Sequence, residues 1–124
     1  MPEVMNKEVV VRVVDVIGTS LAVSSDDGQK VFDKVAPLLK QGQKVRLSFE
    51  NIETVISAFL NAAIGQLYGE FQEDQIRESF GVPRDMSPED LALLKRVVDN
   101  AKLYFKNRKE FDQAWKEEVG GPNE

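Results

Sequence analysis

The stretch Val45–Tyr68, VRLSFENIETVISAFLNAAIGQLY, constrains the fold more than any other part of the chain. It begins as a short apolar strand, with Val45, Leu47 and Phe49 alternating onto one face. A polar connector from Glu50 to Thr54 follows, then a second apolar run that passes Ser57 and enters a helix. That helix sets Phe59, Leu60, Ala63, Ile64 and Leu67 on one stripe and is closed by Gly69. A strand feeding an amphipathic helix is the building unit of α/β domains. Ser57 stands where the loop meets the helix start, a place for regulation or ligand contact, and no catalytic partner accompanies it.

The flanking segments extend the alternation. EVVVRVVDVI, Glu8 to Ile17, is dense in β-branched residues and reads as a strand buried on much of both faces. Gly18 breaks it, and Leu21 to Val23 forms a second short pairing segment. Ser24 with Asp27 three residues later reads as an N-cap. The helix it opens carries Val31, Val35, Leu38 and Leu39 on one stripe, is loosened by Pro37 and ends at Gly42. Residues 75–82 fit either alternation or a helical turn, and their place between two helices favours a strand. Ser87-Pro88-Glu89-Asp90 is a helix start: Ser at the cap, Pro at the first turn, then acids. That helix buries Leu91, Leu94, Val97, Val98, Ala101 and Tyr104 or Phe105. A second cap near Asn107 opens a short helix that docks Phe111, Ala114 and Trp115. The expected fold is α/β, a mixed or mostly parallel sheet of about four strands with helices packed on it and a C-terminal helical extension. It forms one domain over residues 1–119, followed by a mobile tail at 120–124.

Composition removes several function classes. The chain of 124 residues has neither cysteine nor histidine, so disulfides, thiolate metal sites, Ser-His and Cys-His nucleophiles and histidine-bearing zinc sites are all excluded. A net charge of −5 disfavours electrostatically driven nucleic-acid binding. The basic residues Lys102, Lys106, Arg108 and Lys109 read as a solvated face. No apolar run approaches the roughly 18 residues of a membrane span, and MPEVMNKEVV lacks the pattern of a signal peptide. A cytoplasmic location is the expectation. Ser24-Ser25-Asp26-Asp27-Gly28 lacks the glycines and lysine of a phosphate loop and the spaced oxygens of a calcium loop. No cofactor, metal or catalytic residue is expected.

With these elements placed, the chain resembles the STAS fold, named for sulfate transporters and anti-sigma-factor antagonists. It is closer still to a small bacterial group of STAS-like proteins of unassigned function. The resemblance rests on VRLSFENIETVISAFLNAAIGQLYGEF, Val45 to Phe71, and on LALLKRVVDNAKLYF, Leu91 to Phe105. The order of elements agrees from Glu8 to about Phe105. In anti-sigma-factor antagonists the equivalent loop reads Asp-Ser-Ser-Gly, and its first serine is phosphorylated by a partner kinase. That serine falls on Ser57. Ile56 replaces the aspartate, Ala58 the second serine and Phe59 the glycine, while Ser48 stands where the preceding strand often has aspartate. The closer group often shows Ser-x-Phe here, which Ser57-Ala58-Phe59 matches.

The resemblance implies a non-enzymatic regulatory module that docks a protein partner, a kinase-like ATPase regulator, with Ser57 as phosphosite or partner contact. Ser57 also reads as an N-cap, and the two roles are compatible. The candidate interface comprises Glu50, Asn51, Glu53, Ala58, Asn61 and Gly65. Glu50, Asn51 and Glu53 sit where strands end and helices begin, the side on which α/β sheets bind ligands, and Asn51 suits a left-handed turn. Ala58, Ala62 and Gly65 form a small-residue stripe for close approach, either to a partner or to the protein's own sheet. Two alternatives stand beside this reading. One is a small-ligand or nucleotide-binding protein using Glu50 and Glu53 with Lys44 or Arg46. The other is a homodimeric assembly domain joined through that stripe or an edge strand.

Overall fold

Two chain stretches run side by side in parallel twice, and this pairing organises the molecule. The computed structural model describes residues 8–118. β1 (Glu8–Arg12) pairs with β3 (Lys44–Ser48), Glu8 opposite Lys44 and Arg12 opposite Ser48. Each chain then leaves the ladder and returns, as β2 (Leu21–Ala22) beside β4 (Thr54–Val55). The four strands are thus parallel but fall into two pairs. The element order is β1, α1 (Val13–Ile17), β2, α2 (Ser25–Lys40), β3, β4, α3 (Ser57–Leu60), a π-helical turn (Asn61–Gly65), α4 (Leu67–Glu70), α5 (Glu73–Ser79) and α6 (Pro88–Glu118). Among the described residues, no helix is long and apolar enough to cross a membrane.

The valine-rich first segment is not one strand from Glu8 to Ile17, as its composition suggests. It turns at Arg12 into α1, which buries Val13 and Ile17 one helical turn apart. Gly18, at φ 75°, closes that turn by donating its N–H to the Val14 carbonyl at 2.9 Å. Tertiary burial of two residues at helical spacing here overrides strand propensity. β1 is also covered on one face only: Val11 is buried, whereas Val10 is 40% exposed on the other side.

A second correction concerns residues 75–82. They hold α5, not a strand, with Glu73 and Asp74 in its first turn and Arg77 in its last, as the helix dipole favours. Ile76 anchors it in the core at 2% exposure. Strand-like pairing appears just downstream, where Phe80 bridges Val45 and Arg84 bridges Ser48 along the free edge of β3. Gly81 donates to the Val45 carbonyl, Arg84 to that of Leu47, and Phe49 to that of Arg84, each at 2.9 Å. Pro83 has no N–H to give, so this segment stays an interrupted edge.

The long helices follow their end signals. Ser24 Oγ accepts the Asp27 N–H at 3.0 Å and Ser87 Oγ that of Asp90 at 3.1 Å. Gly42 turns the chain after α2 at φ 80°. α2 buries Val31, Val35 and Leu39, with Leu38 half-buried. α6 runs unbroken through Asn107, so the expected second cap there is absent. No proline or glycine interrupts residues 89–118, and a lone asparagine is too weak a breaker to stop a helix already propagating. Leu94, Val97 and Ala101 are its buried side, while Tyr104 is exposed. The packing expected of Phe111, Ala114 and Trp115, and the tail 120–124, lie outside what the structure describes.

The central helix also departs from its expected form. It does not stop at Gly69 but continues to Glu70, and it widens midway into the π turn. There the Gln66 N–H reaches back five residues to the Asn61 carbonyl at 3.1 Å. The Ala62 carbonyl, which regular α geometry would pair with that N–H, instead accepts the Gln66 side-chain amide at 2.8 Å. The same amide donates to Gln29 Oε1 at 2.8 Å, tying the π turn to α2. Gly69 serves packing: the Phe105 ring occupies the space a Cβ would need.

Candidate functional site

Ser57 is the first helical residue of α3, not its cap. The cap position belongs to Ile56, whose backbone is extended at φ −124° and ψ 167° and whose side chain has no hydrogen-bonding group. The chain reaches it straight from β4, and the Ile56 N–H still bonds the Ala22 carbonyl at 3.1 Å. Holding Ile56 in the ladder leaves the helix to begin one residue later than a serine cap requires. Ser57 is exposed, and among the described residues its hydroxyl makes no hydrogen bond.

Around Ser57 the β2–β4 ladder presents an apolar outer face. Ala22 and Val55 point inward and are buried. Their neighbours alternate outward: Leu21 is 46% exposed, Val23 36% and Ile56 40%. Leu21 lies opposite Thr54 in the register, so Leu21, Val23, Thr54 and Ile56 share that face. The sequence reading missed these residues. Alternation at 21/23 and 54/56 was visible, but its meaning depends on two-residue strands being paired.

The other candidate positions divide. Ala58 and Asn61 are exposed, one and four residues after Ser57, and continue the open surface along the helix. Gly65 is buried, facing Val97 and Ala101 of α6, and Ala62 packs against Gly28 of α2. The small-residue stripe is therefore used mainly inside the molecule, with Ala58 its exposed end. In the connector, Asn51 takes the left-handed conformation at φ 66°. Ile52 donates to the Phe49 carbonyl at 3.0 Å, closing a turn, and Glu53 donates through its backbone to Ser20 at 2.8 Å. The Glu50 carboxylate lies 3.5 Å from the Arg12 guanidinium.

Beside this connector lies a polar cluster at the C-terminal ends of β1 and β3. Ser48 is buried at 4% exposure. Its hydroxyl accepts the Glu50 N–H and donates to Asp85 Oδ2, both at 3.3 Å. Asp85 itself is left-handed at φ 60°. Ser48 thus joins the connector to the segment that flanks β3, which gives this serine a structural task.

The set Glu50, Glu53, Lys44 and Arg46 is not gathered. Lys44 lies at the Glu8 end of the β1–β3 ladder, and Glu50 pairs with Arg12 at the opposite end. Arg46 is engaged by Glu8 at 2.9 Å and by the Val82 carbonyl at 2.7 Å.

With this geometry in place, comparison with known proteins gives one family. A family model described as a STAS-like domain of unknown function (DUF4325) matches residues 27–90, from the first turn of α2 to the first turn of α6. The match includes β3, β4, Ser57 and the whole central helix. No curated protein and no solved structure matches the chain.

Proposed function

The chain belongs to this STAS-like family, and on that premise we propose that it is a non-enzymatic regulatory module docking a protein partner through the surface around Ser57. The partner is a kinase-like ATPase regulator, and phosphorylation of Ser57 is the switch. The observation that supports this is the state of Ser57: exposed at a helix start, its hydroxyl making no hydrogen bond among the described residues, beside the apolar residues Leu21, Val23 and Ile56. Exposed apolar side chains grouped on one face suit a protein interface.

The chemistry is simple. The γ-phosphoryl group of ATP passes to Ser57 Oγ, ADP leaves, and the hydroxyl proton goes to a base of the kinase. The new group adds about −1.5 to −2 charges at neutral pH. At the start of a helix the free N–H groups and the dipole tolerate that charge, so the fold survives. A partner seated over Ile56 and Ser57 instead meets a desolvated dianion and is released.

The test is capture of partners from cell extract with the wild-type chain and with Ser57→Glu, followed by binding measurements on the purified ATPase so identified. Wild type should bind at least about tenfold tighter, a difference of about 1.4 kcal/mol. Incubation with ATP and that partner should place phosphate on Ser57. Equal retention of every partner by the two forms would overturn the switch.

A further inference from the structure

The outward face of the β2–β4 ladder, Leu21, Val23 and Ile56 beside Ser57, has a carboxylate at each end. Glu53 stands immediately before β4, where its N–H donates to the Ser20 carbonyl at 2.8 Å, next to Leu21. Asp26 stands beyond Val23 in the first turn of α2. Both are exposed, and among the described residues neither carboxylate takes part in an ion pair.

Their acidic neighbours do have partners. Glu50 lies by Arg12, which Asp15 also holds at 2.9 Å, and Asp27 is 3.4 Å from Lys30. The local sequence supplies no further cation. None of the chain's 16 lysines and arginines lies in residues 13–29 or 47–76, the two stretches that carry this face. Arg12 and Lys30 border those stretches, and both are taken.

Charge then decides what can cover the apolar centre. A second copy laid face to face would set Asp26 and Glu53 against like charges. A nucleic-acid backbone or an anionic bilayer would be repelled in the same way. A polypeptide with lysine or arginine flanking an apolar segment instead answers both carboxylates while covering Leu21, Val23 and Ile56. Resting on the reading of the Ser57 surface as a protein interface, we infer that the partner presents such a basic-flanked apolar segment here. The two kinds of contact have separate kinetic duties. The rim carboxylates attract the partner from a distance and set its association rate. The apolar centre holds it once seated, and a charge introduced at Ser57 acts there, on dissociation.

The probe is a short peptide alternating leucine with lysine, titrated into the full-length protein at low salt. A leucine–glutamate peptide and phosphatidylglycerol vesicles form the other arms. One lysine peptide should bind per chain, and neither the glutamate peptide nor the vesicles should bind. Asp26→Lys/Glu53→Lys should weaken the lysine peptide about tenfold or more, and the neutral pair Asp26→Asn/Glu53→Gln several-fold. Glu70→Lys/Glu78→Lys, the same change of net charge away from the face, should shift it less than about twofold. All three double variants should melt near the wild-type temperature. On the partner captured through Ser57, the reversal at Asp26 and Glu53 should slow association about tenfold, whereas Ser57→Glu should mainly speed dissociation. Equal binding of the two peptides, indifference to the reversal, vesicle binding, or a dimer of this chain that dissolves with Ile56→Asp would overturn the inference. A partner released by Ser57→Glu yet unaffected by the reversal sinks the basic segment and leaves the Ser57 reading standing. A lysine peptide that needs Asp26 and Glu53, while no partner distinguishes Ser57→Glu, does the reverse.

Discussion

The two sides of the central helix, from Ser57 to Glu70, have opposite relations to the rest of the molecule. On one side Phe59, Leu60, Ala63, Ile64 and Leu67 are almost wholly buried. The approach of α2 there is so close that Gly28 touches the backbone of Phe59, and a Cβ on Gly28 would fall 2.7 Å from that of Ala62. On the other side Ser57, Ala58 and Asn61 face solvent. Packing at interior density leaves the first side no freedom to change without cost. The second side is bound by no such constraint, so its residues can be altered or modified while the fold persists. Stability rests on one face of these fourteen residues, and under the proposed function recognition falls to the other, so mutations should separate the two.

The largest effect is expected from Phe59→Ala. The ring has no solvent exposure and meets Phe49 edge-on, with centroids 6.4 Å apart at 81°. Its removal should cost about 3–5 kcal/mol in denaturant unfolding, enough to leave the domain marginal. A loss below about 1 kcal/mol would show that the sealed face is looser than described.

Next in size is Gly28→Ala. Helix propensity alone would make this change stabilising by about 1 kcal/mol. Overpacking costs about 1–3 kcal/mol, and here the obstacle includes the backbone carbonyl of Phe59, which cannot rotate aside. The midpoint of unfolding should therefore fall. A rise would mean that α2 and the central helix separate easily, and the contrast between the two faces would lose its basis.

How much of this was legible in the sequence depends on the range of the interaction. Ser24 and Ser87 were readable as caps because a cap is settled within four residues, and Gly42 because a left-handed turn after a helix favours glycine. The parallel α/β plan and the STAS-like core were readable from Val45–Phe71. The α1 turn was not, since Val13 and Ile17 are helical only because the core waits for them one turn apart. Residues 75–82 fit both periods and carried too little pattern to choose. The π turn is joined to α2 where Gln66 meets Gln29, a partner 37 positions away that no local pattern announces. At the candidate site, Ser57 and its exposed neighbours Ala58 and Asn61 could be named in advance. The outward face of Leu21, Val23 and Ile56 could not, because it exists only once β2 and β4 pair.

The smallest effect is the most telling, and it comes from comparing two serines at helix starts. Ser24 spends its hydroxyl on the Asp27 N–H, so Ser24→Ala should cost about 1 kcal/mol. Ser57 accepts no such bond, and Ser57→Ala should change stability by no more than about 0.5 kcal/mol. Ser57→Glu should be neutral or stabilising by about 0.3–1 kcal/mol at low salt, because a carboxylate in the first turn opposes the positive end of the helix dipole. Salt should erase that gain, whereas the Ser24 cap, a short-range hydrogen bond, should be indifferent to it. Equilibrium unfolding of the three variants at low and high ionic strength checks all of this. If Ser57→Ala costs as much as Ser24→Ala, then Ser57 is a cap after all and any loss of partner binding by its variants reports on folding. If it costs nothing, a variant that folds normally and fails to bind isolates the open face as the seat of recognition.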